Sequence, residues 1–259
     1  MRIAVCVKQV PSTNEVRMDP VTNTIIRDAR QSVTNPFDTY AIELAVQIKE
    51  KLGAETWALS MGIPATERLL RDACSRGIDR AMLLTDRAFA GADTLATAYT
   101  LALGVREMGG ADLVLCGKMA VDGDTAQIGP ELAENLGMPH ITDVCAVLDI
   151  SVSDVTVVRQ IDGGTQKLRV RLPALLTVVK DLNEPRLPSI TGVRYGLQAP
   201  FVALGAESTH ADPKRIGLAG SPTQVVRTYV PERMGEAVVI EGDFAAQARQ
   251  MATIIGEVL

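Results

Sequence analysis

Residues 116–130 read Cys-Gly-Lys-Met-Ala-Val-Asp-Gly-Asp-Thr-Ala-Gln-Ile-Gly-Pro. An apolar, strand-like run from Asp112 to Cys116 leads into them, and a helical pattern from Ile128 to Leu136 follows. A glycine-punctuated turn between strand and helix exposes backbone N–H groups and the positive end of the helix. Such a turn receives phosphate. The segment predicts both an α/β fold and a nucleotide or dinucleotide ligand.

Outward from this turn the same alternation continues. Arg2 to Val7 reads as a strand, followed by a long connection from Lys8 to Asn35 with a short hairpin expected around Asp19 to Ile26. Asn35-Pro36 opens a helix, Phe37, Ala41, Leu44, Ile48 and Leu52 form its apolar stripe, and Gly53 closes it. Further strands are predicted at Glu55–Ser60 and Arg80–Thr85. Helices follow them, opened by Pro64 and by Asp93-Thr94 and ending at Gly77 and Met108. This series implies a doubly wound parallel sheet whose ligand sits at the strands' carboxyl ends.

Beyond Ile141 the period changes. Val144–Ile150, Val155–Gln160 and Lys167–Arg171 alternate as strands, with a turn at Asp162-Gly163-Gly164, and Ala174–Val179 is a further buried strand. The expected organisation is an α/β body over 1–182, an extended arm over 183–242 and a C-terminal docking helix over 243–259 capped by Asp243.

Composition narrows the chemistry. Lys and Arg number 26 against 31 Asp and Glu, a net charge of −5 with no basic block, so no nucleic-acid surface is expected. No apolar run reaches spanning length and no signal peptide is apparent, which predicts no membrane insertion. The 4 cysteines are scattered without a CxxC pair, which suits small buried side chains in a reducing cytoplasm. The 2 histidines, His140 and His210, lie in no motif, so no metal or serine triad is expected and a bound cofactor carries the chemistry better.

Within the first turn, Gly117 and Gly123 permit close backbone approach, and Thr125 and Gln127 offer polar groups to a phosphate. Asp122 and Asp124 are awkward there. A carboxylate ~4 Å from a phosphate charge is repelled by about 4 kcal/mol at an effective dielectric near 20. Their side chains are expected to turn away, toward nearby N–H groups or ribose hydroxyls. A second turn, Asp86-Arg87-Ala88-Phe89-Ala90-Gly91-Ala92-Asp93-Thr94, offers Arg87, an aromatic ring and a helix N-terminus; a capped helix with a hydrophobic staple explains it as well.

Several motifs in one order resemble the beta subunits of electron transfer flavoproteins over essentially the full chain: Val5-Cys6-Val7-Lys8-Gln9-Val10-Pro11, Asn35-Pro36-Phe37-Asp38, the run Gly117 to Gln127, and Leu182-Asn183-Glu184-Pro185-Arg186. The resemblance implies an adenine-nucleotide-binding domain with an arm around an alpha subunit. Cys6, Asn35, Asp38, Met61, Gly117, Lys118, Ala120, Val121, Asp122, Gly123, Asp124, Thr125, Ala126 and Gln127 would hold the adenosine and phosphate part. Glu184, Pro185, Arg186 and Ile190 would meet partners, Ile190 standing where the family usually has Leu as an anchor for acyl-CoA dehydrogenases.

Asp86 to Thr97 and Gly217 to Thr223 are similar to the electron-bifurcating group of the family. That implies FAD in this chain, with Asp86, Arg87, Phe89, Gly91, Asp93, Thr94 and Thr97 around it, NADH as donor, and ferredoxin or flavodoxin as second acceptor. In this reading the chain is an electron-carrier subunit with NADH-oxidising activity in its complex. A structural AMP, with redox chemistry confined to the alpha subunit, is the alternative, and a free-standing nucleotide-binding domain a third.

Overall fold

The structure is a computed structural model that describes residues 1–12, 32–226 and 239–258. The predicted hairpin at 19–26 lies outside the described residues. One compact unit spans Met1–Val225 and a second spans Val226–Leu259.

In the first unit a central sheet has the order β11-β5-β4-β1-β6-β10-β7-β8-β9. Its strands are β1 (Arg2–Cys6), β4 (Glu55–Met61), β5 (Arg80–Leu84), β6 (Leu113–Gly117), β7 (His140–Ile150), β8 (Asp154–Ile161), β9 (Gly164–Arg171), β10 (Ala174–Val178) and β11 (Phe201–Leu204). Neighbours from β11 to β7 run parallel; β7, β8 and β9 are antiparallel. The α/β expectation holds, and the meander turns at Gly163, whose φ of 81° needs glycine. Two short strands, β2 (Gln9–Pro11) and β3 (Ser32–Thr34), pair separately.

The helices follow the predicted signals. α1 (Pro36–Leu52) starts with proline in its first turn and ends on left-handed Gly53. α2 (Glu67–Ser75) is preceded by a single 3₁₀ turn over Pro64–Thr66. α3 (Thr94–Glu107) is capped by Asp93, and α4 (Ile128–Leu136) ends at left-handed Gly137. α1 and α2 bury their apolar faces on one side of the sheet, α3 and α4 on the other.

β1 lies between β4 and β6. The chain moves outward from β1 to β4 and β5, then crosses back to β6 on the opposite side. The reversal opens a crevice at the carboxyl ends of β1 and β6, where doubly wound sheets receive ligands.

Within the stretch expected as an extended arm, Ile190–Gln198 and Phe201–Leu204 are regular elements. α5 (Ile190–Gln198) is a capped helix whose Ser189 side chain accepts from the Gly192 N–H, and β11 extends the sheet beside β5. Gly192 and Gly196 explain the fit: a Cβ at either would lie 2.2 Å from the Ser75 carbonyl oxygen or 2.6 Å from that of Arg71. Bare backbone lets α5 lie against α2. The body therefore extends well past Leu182.

In the second unit, α6 (Phe244–Val258) is capped by Asp243, whose Oδ1 accepts from the Ala246 N–H at 2.8 Å. Phe244, Met251 and Ile255 stand exposed on it.

Candidate functional site

The crevice is organised from below by Asp38. This buried carboxylate accepts from the Lys8 N–H (2.7 Å) at the end of β1, from the Gly117 N–H (3.2 Å) at the end of β6, and from Asn35 Nδ2 (2.9 Å). Burial pushes its pKa up to about 7 against the pull of these donors. Asn35 precedes α1, but its side chain does not cap the helix. It donates to the Met119 carbonyl (2.9 Å) and accepts from the Val121 N–H (3.2 Å), fixing the start of the 117–127 turn. Asn35 and Asp38 thus act as a bracket beneath the turn, not as groups facing outward.

Gly117 is glycine for packing, since a Cβ would lie 2.4 Å from Asp38 Oδ1. Cys6 and Cys116 meet in the same layer; their hydrogen bond, with burial, pushes the Cys116 thiol well up, so it is an inert core thiol. Met61 lies half-buried at the end of β4.

The turn itself is open. Val121 to Gln127 are exposed. The Ala120 carbonyl accepts from the N–H groups of Gly123 (3.2 Å) and Asp124 (2.8 Å). The N–H groups of Thr125, Ala126 and Gln127 meet no protein acceptor among the described residues. The first turn of α4 follows with no side-chain cap. Asp124 and Ala126 hold positive φ angles, 52° and 54°. The two aspartates do not serve as caps: Asp122 pairs with Lys8 Nζ at 2.7 Å, and Asp124 supplies one left-handed position. Lys118 likewise pairs with Asp143 at 2.7 Å.

The 86–94 turn is closed. Asp86 accepts from the N–H groups of Ala88 (3.0 Å) and Ala206 (2.9 Å), bonds that hold its carboxyl below the usual aspartate range. Asp93 caps Ala96 N–H (3.1 Å) and accepts from the Thr223 hydroxyl (2.7 Å) and N–H (3.1 Å), while its own N–H donates to Ser221 Oγ (2.8 Å). Gly91, at φ 74°, would bring a Cβ within 3.3 Å of Leu218. Phe89 is only 4% exposed and its ring packs into the core. Arg87 stands exposed with no ion-pair partner among the described residues, and Thr97 is half-buried on α3.

The two turns touch. Thr94 Oγ1, at the start of α3, lies 3.1 Å from Gln127 Oε1 and 3.1 Å from Glu131 Oε1. Glu131 is absent from the sequence-based set; its position one turn into α4 was the signal that could have found it. The N–H groups of 125–127 and the uncapped α4 N-terminus form a donor set without a protein acceptor among the described residues. That set fits the phosphates of an adenine nucleotide.

The partner segment is held from behind. Arg186 donates to Glu43 through its backbone N–H (3.1 Å), Nε (2.9 Å) and Nη2 (3.0 Å), and reaches Glu50 as well. Burial raises the Glu43 carboxyl, but the Arg186 bonds outweigh it and leave it below the usual range. Asn183 Nδ2 donates to the Tyr40 carbonyl (3.0 Å). Arg186 therefore faces its own chain. Glu184 is exposed, Pro185 half-buried, and Ile190 stands 84% exposed at the start of α5.

A profile described as "Electron transfer flavoprotein domain" matches residues 22–203. The chain is 44% identical to the caffeyl-CoA reductase-Etf complex subunit CarD of Acetobacterium woodii, over 93% of this chain and 92% of that protein. It is 47% identical to an electron transfer flavoprotein subunit beta of Thermoanaerobacterium thermosaccharolyticum, over 91% of each. Protein FixA of Bradyrhizobium diazoefficiens is 41% identical over 96% of this chain and 89% of its own length. No helix among the described residues is long and apolar enough to cross a membrane. The chain belongs to the electron transfer flavoprotein family and is homologous to its beta subunits over nearly its whole length.

Proposed function

We propose that this chain is the beta subunit of an electron-bifurcating electron transfer flavoprotein, holding FAD at the crevice above β1 and β6. In the complex, electrons from NADH divide between ferredoxin or flavodoxin and a second FAD in the alpha subunit, which serves an acyl-CoA dehydrogenase. When bound, the flavin supplies the hydride and one-electron chemistry. The chain's residues position it: N–H groups of 125–127 and the α4 N-terminus receive phosphate, and Arg87 adds an unpaired cation from the second turn.

The observation that carries this reading is the Thr94–Gln127 contact, which joins the open turn and the 86–94 turn into one continuous edge. An adenylate alone needs only the first of them. The exposed Leu187, Ile190 and Leu197 support docking of the dehydrogenase at α5, and exposed Phe244, Met251 and Ile255 support α6 as the helix that docks on another subunit.

A second reading has its own support. Buried Phe89 and the internally bonded Asp86 and Asp93 leave the second turn few groups for a ring, which favours structural AMP. Ligand extraction from the purified complex separates the two. A pair of FAD per heterodimer and reduction by NADH support bifurcation; a single FAD with AMP, and no reduction by NADH, overturns it. The cytoplasm is the setting that fits the unpaired thiols.

A further inference from the structure

Three oxygens meet where the N-termini of α3 and α4 converge: Thr94 Oγ1, Gln127 Oε1 and Glu131 Oε1, with both contacts to Thr94 at 3.1 Å. With the Gln127 amide oxygen turned inward, proton counting fixes the charge on Glu131. A hydroxyl carries one proton, an amide oxygen carries none, and an ionised carboxylate carries none. With Glu131 ionised, three acceptors share a single proton and one contact is left unmade. With Glu131 neutral, its hydroxyl donates to Thr94 Oγ1, and the Thr94 hydroxyl donates to Gln127 Oε1. Every contact is then filled.

We propose that Glu131 is a positioning residue of the nucleotide site and works as a neutral carboxylic acid, ordering Thr94 and, through it, the Gln127 amide. The inference rests on the nucleotide reading of the crevice. Its consequence lies at the far end of the relay. Gln127 is exposed, and its Nε2 has no acceptor among the described residues. Fixing Oε1 against Thr94 turns the amide's donors outward, the side an anionic phosphate requires. An ionised Glu131 would demand the opposite: the amide would rotate to donate inward, and a carbonyl oxygen would face the phosphate.

The surroundings favour the neutral form. Glu131 Oε2 is buried with no hydrogen-bond partner among the described residues, the state in which a charge is least tolerable. Burial raises the carboxyl above the usual glutamate range; the Thr94 bond pulls it down, and the Asp93 charge on α3 pushes it up again. The α4 dipole favours a carboxylate by about 0.3–1 kcal/mol. A phosphate bound at that helix end takes up this field and adds its own repulsion. Ligand binding therefore draws a proton onto Glu131, and affinity falls as pH rises.

Calorimetric titration of FAD into the full chain, stripped of its own nucleotide in a purified complex that keeps the alpha-subunit FAD, tests this from about pH 5.5 to about pH 9. FAD is the clean probe because its pyrophosphate lacks the phosphate-monoester ionisation near about pH 6. For the wild type we expect affinity to fall by up to about tenfold per pH unit above the Glu131 midpoint, with proton uptake on binding. Glu131→Gln keeps a donor for Thr94, so it should match the wild type at low pH within about twofold and lose that slope. Weak binding by Glu131→Gln at low pH, or identical slopes in both proteins, would overturn the role of Glu131 while leaving the site intact. Absence of FAD binding at every pH would overturn FAD in this crevice and the inference with it.

Discussion

Two strand-to-helix turns stand side by side at the carboxyl edge of the sheet, 86–94 before α3 and 117–127 before α4, and they use their polar groups in opposite ways. The first is self-satisfied. Asp86 and Asp93 bond to the 205–223 stretch, Gly91 packs on Leu218, and Phe89 sinks into the core. The second is anchored from beneath by Asp38 and Asn35, and its upper N–H groups meet no acceptor among the described residues. Both contain Gly, Asp and Thr in similar density. What separates a structural turn from a receptive one is whether its donors already have acceptors, and that depends on segments distant in sequence.

The largest test bears on the anchor of the open turn. Asp38→Asn replaces one acceptor oxygen by an N–H donor facing three N–H donors, so at least one of the three hydrogen bonds is lost. We expect a loss of about 3–5 kcal/mol in denaturant unfolding, with bound nucleotide lost as well. Asp93→Ala acts on the closed turn. It removes the α3 cap and the Thr223 bonds, for about 1–2 kcal/mol.

The two aspartates also respond to pH with opposite sign. Burial raises Asp38 to about 7, so the folded state keeps a proton that the unfolded chain has released. Its contribution is complete below the ordinary value of 3.8 and is lost as pH rises through about 7. Asp93 is lowered: burial pushes it up, but the Ala96 and Thr223 bonds outweigh that. Its contribution is present above 3.8 and lost as pH falls through the folded value. Unfolding free energies of the wild type and each variant across pH measure both. Parallel curves would mean the turns are held alike, and the contrast would fall.

How far this was legible in the sequence follows the same division. Local rules located the strands, the glycine-closed helices, the open turn at the end of β6 and the Asp93 cap. Tertiary bonding was invisible. Asn35 looked like an N-cap because Asn-Pro opens a helix, yet its side chain serves a loop over eighty residues away. Asp122 was read as turning from phosphate toward N–H groups or ribose, and it meets Lys8 instead. α5 was hidden in a stretch whose Pro and Gly content reads as irregular. The signal was Ser189 followed by Gly192 and Gly196, a cap and two gaps on one helix face.

Arg87 sharpens the contrast from the closed side, as the group of that turn with no internal use. Arg87→Gln should leave unfolding unchanged within about 0.5 kcal/mol while weakening FAD binding about tenfold, the loss of one charge-assisted phosphate contact. Unchanged binding would assign Arg87 to solvent and make the second turn wholly structural.

The smallest test asks whether the open turn is held in a costly shape. Ala126 sits at φ 54°, a left-handed conformation in which a Cβ crowds the following carbonyl. Residues tolerate such angles where the surroundings impose them, and those surroundings here are the anchored start of the turn and the rigid α4. Ala126→Gly removes the crowding but loosens the unfolded chain, so the net gain should be about 0.5–1 kcal/mol. Calorimetric melting of the nucleotide-free complex reads it directly. A gain accompanied by unchanged FAD affinity means the shape is set by the fold before any ligand arrives. A loss of stability would mean that Ala126 does not hold this conformation, and the N–H groups of 125–127 would no longer count as a prearranged donor set.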